Sequence, residues 1–415
     1  MNALQTVASN NDIFVAVPMG GHFLNKNKNK NMNELKYNNW IIKRDGFTIT
    51  LYNTKLNKSY RIELIQCKNY FGKINISLSN ICQMECLYCS EGDYNNSNHK
   101  MLNTVDVIAV INNYIDYIRG KSYIEGIQLS FDYGGEPFCC YDELLAISKY
   151  FKKRCFENNI SSKIQVTTNG NWEHALLNAV IDLIDEFIVS IDGYKELHDR
   201  YRKYKDDNSK FERIIENAKE LYKNNKLKQI STVVTTDTIK NAEKYIRYMK
   251  ENFPGTNIKL NAVKNIGGAR ENHIAKIPFN LWRKFIAKAK KDFGKSALIV
   301  DSKPEKDVSY RYYYGCEYIT ADNWFLDVDG KITCCTDRGL DNFIIGRVNK
   351  GICSLDFNKI KTISEGNYVE NISKCSNCIA KYYCAGGCPI FRDVKINCKR
   401  RIKKYAELLI SNVKV

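Results

Sequence analysis

ICQMECLYCS, residues 81–90, places thiols at Cys82, Cys86 and Cys89. Three cysteines in a C-x3-C-x2-C spacing can converge on one metal centre from a single short loop. They leave it one ligand short of the four that a tetrahedral zinc or a cubane cluster takes. A structural site closes all four positions with protein, so a missing fourth ligand reads as a place where something else binds. The competing reading is a zinc knob or a group of buried thiols.

Outward from this loop the chain alternates strands and helices. Apolar β runs fall at 73–78, 126–131, 163–168, 186–191, 229–235 and 257–263, with helical periodicity over 105–118, 141–157, 172–184, 211–223 and 242–252. Ile108, Ile111, Ile115 and Ile118 alternate steps of three and four, the spacing of a one-sided helix. Helical crossovers call for a parallel sheet with both faces covered. Six strands are too few to close the eight-stranded barrel. The α/β fold expected over 72–270 is therefore a partial (β/α)6 TIM-like barrel, open at one side.

In such barrels the chemistry sits on loops at the C-terminal ends of the strands. The cysteine loop follows the first strand, Tyr133-Gly134-Gly135-Glu136-Pro137 the second, Thr168-Asn169-Gly170 the third and Ser190-Ile191-Asp192-Gly193 the fourth. All four therefore fall on one rim. Gly134 and Gly135 lack side chains, so a ligand can come close to the backbone there. Glu136 and nearby carbonyls can accept hydrogen bonds from an ammonium group. Thr168-Asn169-Gly170 also reads as an ordinary strand-to-helix turn, and His198 as a local hydrogen-bonding residue.

Around this barrel lie four other segments. Residues 1–71 form a β-rich preface: a polar low-complexity stretch at 25–33, then strands at 40–43, 47–52 and 59–64. Residues 271–310 bridge onward through a helix at 281–292 whose purpose the sequence does not reveal. Residues 311–400 carry nine thiols, among them Cys316, Cys335, Cys375, Cys378, Cys384, Cys388 and Cys398. A C-x2-C pair such as Cys375/Cys378, taken alone, suits a zinc ribbon. Residues 401–415 close the chain with a packed helix carrying Ile402, Tyr405, Leu408 and Leu409.

The totals exclude several classes. Sixteen cysteines among 415 residues suit metal ligation in a reducing compartment better than a disulfide scaffold. No apolar run reaches the eighteen or so residues of a membrane helix, and the N-terminus lacks the positive charge of a secretion signal. A cytoplasmic protein is expected. The net charge of +17 is spread along helices, which reads as a solvated basic surface, with nucleic acid disfavoured and an acidic peptide compatible.

With the aromatic Tyr88 before its last thiol, the cysteine loop resembles the signature of the radical S-adenosylmethionine (SAM) enzymes. The C-terminal thiols resemble the SPASM extension found in peptide- and protein-maturing members. The resemblance runs from about Gly72 to Arg400. It implies that Cys82, Cys86 and Cys89 hold a catalytic 4Fe–4S cluster whose open iron takes SAM. It implies SAM contacts from Gly134, Gly135, Glu136 and Pro137, from Thr168 and Asn169, from Ser190 and Asp192, and from Arg200 or Arg202. It also implies two auxiliary 4Fe–4S clusters, one on Cys375, Cys378, Cys384 and Cys398, the other on Cys316, Cys335 and Cys388. The second set is one thiol short, with Cys334 and Cys353 as candidates to complete it.

The activity implied is reductive cleavage of SAM to a 5′-deoxyadenosyl radical and oxidative modification of a ribosomally synthesised precursor peptide, such as a cysteine thioether. An external one-electron reductant of flavodoxin or ferredoxin type would supply it. The N-terminal strands are then either a truncated leader-binding sheet or a structural cap. The alternative is an anaerobic sulfatase-maturating, formylglycine-forming enzyme. That subfamily places an Asp directly after the GxxxxC cysteine, whereas Cys335 is followed by Thr336 and Asp337 comes one later. A non-enzymatic iron–sulfur or zinc protein is the third reading, and it leaves the rim motifs unexplained.

Overall fold

The computed structural model describes residues 34–45, 47–66, 70–91, 99–206, 208–294, 298–300, 310–311, 321–335, 341–389 and 395–412. The chain falls into two compact units, 1–68 with 305–320 and 362–415, and 69–304 with 321–361. These boundaries cut across the cysteine-rich segment 311–400.

In the first unit β1 (Glu34–Tyr37), β2 (Trp40–Asp45), β3 (Thr48–Asn53) and β4 (Lys58–Glu63) form an antiparallel meander in that order. Three of these are the strands expected, and β1 is added ahead of them. Along β3, Ile49 and Leu51 are buried while Thr48, Thr50 and Tyr52 are less so, the period of two that turns one sheet face inward. That face has a partner in the C-terminal segment. Trp40, Ile42, Ile49, Leu51, Tyr60 and Ile62 share one core with Val369, Ile379, Tyr382, Tyr405, Ala406 and Leu409. The last three lie on the helix Lys395–Asn412.

The second unit is built on a parallel sheet. β5 (Tyr70–Ile76), β6 (Ile124–Phe131), β7 (Ser161–Thr168), β8 (Glu186–Ser190), β9 (Leu227–Val234) and β10 (Asn257–Ala262) are the six strands legible in the sequence. Each pairs in parallel with the next. β11 (Leu298–Val300), from the bridging segment, continues the sheet beyond β10. On the other side of β5, β12 (Asn323–Leu326) also pairs in parallel. β13 (Lys331–Thr333), β14 (Ile344–Asn349) and β15 (Ile352–Leu355) then add an antiparallel extension. Among the described residues β11 and β12 do not pair, so the sheet stays an open, partial barrel.

The helix Thr104–Ile118 buries Val107, Val110, Ile111, Tyr114, Ile115 and Ile118. Its apolar face is thus wider than the isoleucine row, and Ile108 sits at its margin. Helices Tyr141–Glu157, Phe211–Lys223 and Ala242–Asn252 have the expected bounds, while the one after β7 is shorter, His174–Val180. Ile74, Ile76, Ile127, Leu129, Ile164, Val166, Phe187 and Val189 are fully buried beneath these helices. Most of the alternate positions, among them Lys73, Gln128, Gln165, Thr167, Ser231 and Lys259, are polar, with Ile188 and Val233 as apolar exceptions. A TIM barrel normally fills this interior with branched apolar side chains. No helix among the described residues is long and apolar enough to cross a membrane.

Candidate active site

The cysteine loop leaves the C-terminal end of β5 and is gripped through its backbone. Gly135 N–H donates to the Ser79 carbonyl at 2.6 Å and Glu136 N–H to that of Ile81 at 2.7 Å. From beyond β10, Gly268 N–H donates to the Cys89 carbonyl at 2.8 Å, and the Asn272 amide to that of Leu87 at 3.0 Å. A Cβ on Gly135 would lie 1.9 Å from the Ile81 oxygen, and one on Gly267, whose φ is +48°, 2.5 Å from the Cys89 oxygen. The close approach these glycines permit is that of the chain's own cysteine loop. Gly267, Gly268 and Asn272 were missed in the sequence, although a Gly-Gly pair on the rim after the sixth strand was a usable signal.

Met84–Cys86 forms a short antiparallel ribbon with Arg202–Tyr204, Cys86 opposite Arg202. The Cys82 sulfur accepts from Met84 N–H at 3.4 Å and lies 3.7 Å from the Asn169 amide nitrogen. The Cys86 sulfur lies 3.9 Å from Arg202 Nη1. Burial raises all three thiols, Cys86 to about 12. They hold their protons at neutral pH until a metal displaces them. Soft sulfur donors on one loop, with N–H donors facing two of them, suit a thiolate-bound iron–sulfur cluster. Among the described residues no three His, Cys, Asp or Glu side chains meet at the distance a single ion requires. A cubane takes each thiolate on a different iron and so needs a wider spacing.

Around the loop the rim residues tie strand ends together. Glu136 is buried and its carboxylate accepts from Thr168 Oγ1 and Asn169 N–H, both at 2.7 Å, and from Phe138 N–H at 3.2 Å. Burial nevertheless pushes Glu136 up to about 7. Pro137 opens the following helical turn, and the ring of Phe138 stacks on Trp172 at 4.3 Å. Asp192 accepts from Tyr88 Oη, from Arg202 Nε at 3.1 Å and from Val233 N–H at 2.9 Å. Ser190 ends β8 and is half-buried. The two arginines separate: Arg202 is buried against Asp192 and the cysteine loop, whereas exposed Arg200 pairs with Asp237 at 2.7 Å. His198 is buried and held neutral, its Nδ1 3.4 Å from Asp192 N, which is the local role expected of it.

Residues 76–292, just over half of the chain, match the Radical SAM superfamily. The chain belongs to the radical SAM superfamily. Members use a 4Fe–4S cluster and SAM, which accords with the thiol loop on this rim. A cysteine-type anaerobic sulfatase-maturating enzyme of Clostridium novyi is 24% identical over 341 residues, covering 75% of this chain and 85% of the relative. Among solved structures, native anSMEcpe with bound AdoMet superposes with a TM-score of 0.57 at 16% identity, over 83% of this chain and all of the other. The same protein with AdoMet and Kp18Cys peptide gives 0.55 at 16% identity, over 82% of this chain and 98% of the other. These likenesses show the radical SAM fold.

This radical SAM enzyme carries its C-terminal thiols in both units. In the first, burial pushes the Cys378 thiol up to about 11, reinforced by neighbouring Cys375, Cys384 and Cys398. The four thiols that the SPASM resemblance groups are thus brought together. Half-buried Cys388 belongs to the same unit. In the second unit Gly330, at φ +73°, turns the β12–β13 hairpin that leads to Cys335. Cys335 is half-buried, while Cys334 is buried with its sulfur 3.7 Å from the Phe343 carbonyl oxygen. Cys316, Thr336 and Asp337 lie outside the described residues. Of the remaining thiols, Cys140 and Cys155 are buried, Cys353 is half-buried and Cys139 is exposed.

Proposed function

We propose that this radical SAM enzyme is a maturase that oxidatively modifies a ribosomally synthesised peptide, forming a cysteine thioether or a similar cross-link. Cys82, Cys86 and Cys89 would hold the first cluster, and Cys316, Cys335, Cys375, Cys378, Cys384, Cys388 and Cys398 two auxiliary clusters. The observation that carries this reading is the packing of Cys375, Cys378 and Cys384 against one core, with Cys398 close enough to act on the Cys378 thiol, in a chain of the radical SAM superfamily. A second cluster beyond the one SAM needs is the equipment of a net oxidation. When bound at the rim, a 4Fe–4S cluster supplies the electron that splits SAM into methionine and a 5′-deoxyadenosyl radical.

The chain's own residues prepare that site. Gly135, Gly267, Gly268 and Asn272 fix the cysteine loop. Asn169 and Arg202 present N–H groups to its sulfurs. Arg202 also lends a positive charge beside Cys86, and Asp192 holds that guanidinium in place. Glu136 joins the second and third strand ends beneath the loop. The polar side chains of the barrel interior would offer hydrogen-bonding partners to an extended peptide. Flavodoxin or ferredoxin would deliver electrons from outside.

Sulfatase maturation is the second reading, favoured by the Clostridium novyi relative and weakened by Thr336 in place of an Asp after Cys335. One experiment separates the two. Anaerobically reconstituted protein is incubated with SAM, reductant and either a cysteine-rich peptide encoded beside its gene or a sulfatase-derived peptide. Loss of two hydrogens from the first, with 5′-deoxyadenosine formed, supports the proposal. Loss of two hydrogens together with exchange of sulfur for oxygen, the conversion of Cys to formylglycine, in the second alone supports sulfatase maturation and overturns it.

A further inference from the structure

We infer that Arg44 and Arg401 are positioning residues for the C-terminal thiol group, holding it in shape and biasing the cluster on it toward accepting an electron. This rests on the proposal that Cys375, Cys378, Cys384 and Cys398 ligate a 4Fe–4S cluster.

Arg44 occupies a core-facing position of β2, in line with Trp40 and Ile42, where an aliphatic residue would be expected. It is only 8% exposed. Its Nη2 donates to the Ser376 carbonyl at 3.0 Å and its Nε to that of Cys378 at 3.2 Å. The guanidinium lies 5.6 Å from the centre of the Tyr382 ring. Both carbonyls belong to the tight turn in which Cys378 N–H donates to Cys375 O at 3.1 Å. One rigid fork thus fixes the two-residue spacer between paired thiols, a task lysine's point charge performs poorly.

Arg401 approaches the same group from the C-terminal helix, with Nη1 3.5 Å from the Cys384 sulfur. The backbone makes room for it. Ala385, Gly386 and Gly387 all have positive φ, at 49°, 74° and 66°. A Cβ on Gly387 would fall 1.9 Å from Arg401 Nη1. The helix, KINCKRRIKKYAELLISN, carries Cys398 with six Lys or Arg and a single Glu.

Adding one electron to a thiolate-bound cluster adds one negative charge without a proton. Nearby cations and N–H···S contacts therefore favour the reduced state and raise the potential. A raised potential would suit an acceptor: a cluster held there would take the one electron that the substrate radical gives up, one proton passing to solvent, and would return that electron to the oxidised form of the external carrier.

The test uses the full chain with Cys82, Cys86 and Cys89 changed to Ala, so that SAM-cluster signals are absent. Reconstituted protein, Arg401→Gln, Arg401→Lys, Arg44→Gln and Arg44→Lys are compared by iron content, iron release to a chelator and redox titration followed by electron paramagnetic resonance. Arg401→Gln should shift the midpoint potential to more negative values at unchanged iron content, with Arg401→Lys recovering most of the shift. Both Arg44 variants should release iron faster, Arg44→Lys while nearly keeping the potential. Iron fully retained, with potential and release rate unchanged in all four, overturns the inference. Failure of the parent protein to bind iron defeats the underlying cluster assignment itself.

Discussion

Arg202 and Cys86 face each other across a two-stranded ribbon, and Arg202 Nη1 lies 3.9 Å from the Cys86 sulfur. The same guanidinium donates through Nε to Asp192 at 3.1 Å. Asp192 also takes the Val233 N–H and the Tyr88 hydroxyl. A single buried ion pair therefore links the cysteine loop to the ends of β8 and β9.

Arg202→Gln should leave buried Asp192 without its counter-ion. Breaking such a pair costs about 3–5 kcal/mol. Chemical denaturation should show that loss, and reconstituted protein should retain less iron and cleave SAM more slowly. Arg202→Lys keeps the charge without the fork and should fall between. Arg200→Ala removes only an exposed partner of Asp237. It should cost under about 1 kcal/mol, and a larger loss would mean that the two arginines have been assigned the wrong way round.

Gly135→Ala and Gly267→Ala place a methyl against backbone carbonyls of the cysteine loop, at 1.9 and 2.5 Å. Backbone cannot swing aside as a flexible side chain can, so the loop itself must shift. Both variants should lose iron at the rim and 5′-deoxyadenosine formation together. Gly255→Ala provides the control, having positive φ and nothing within 4 Å. It should show only the conformational cost of about 1 kcal/mol, with SAM cleavage kept.

The parallel sheet was legible because its strands are long apolar runs separated by helices of regular period. β11 and β12 are apolar but only three and four residues long, the second cut off by the Asp327–Gly330 turn, and their pairing with β10 and β5 is decided by tertiary contact. The rim motifs were legible as residue types at strand ends, but not their division of labour. Arg200 and Arg202 are two residues apart and chemically alike, and only the ribbon with Met84–Cys86 turns one inward. Nor does local sequence disclose the core shared by Ile42 and Leu409, since it joins the two ends of the chain.

Glu136 should give the larger unit a distinct pH dependence. Burial raises its carboxyl to about 7 from an ordinary value of 4.5. The folded state then binds this proton more tightly than the unfolded chain. Its contribution is complete below about pH 4.5 and is lost as pH rises through about 7. Metal-free protein should therefore lose urea resistance across that interval. Glu136→Gln cannot titrate and should lack this part of the slope. It should also start lower, by about 1–3 kcal/mol, because its amide NH2 must face a donor such as Asn169 N–H. Parallel pH curves for the two proteins would refute the assignment.

Leu51→Ala tests whether the N-terminal sheet sustains the C-terminal thiols. Leu51 is fully buried on β3 in the core that also contains Ile379, Ala380 and Tyr405 and packs Cys375, Cys378 and Cys384 at its margin. Truncating a buried leucine costs about 2–5 kcal/mol, depending on how far the cavity collapses. The first unit should melt earlier in calorimetry. Reconstituted protein should yield iron to a chelator from the C-terminal thiols first, while Cys82, Cys86 and Cys89 continue to support SAM cleavage. Tyr52→Ala, on the opposite face of the same strand, should change neither melting nor iron release appreciably. Equal effects from the two substitutions would mean that the strand matters to its sheet alone and not to the cysteine segment packed beneath it.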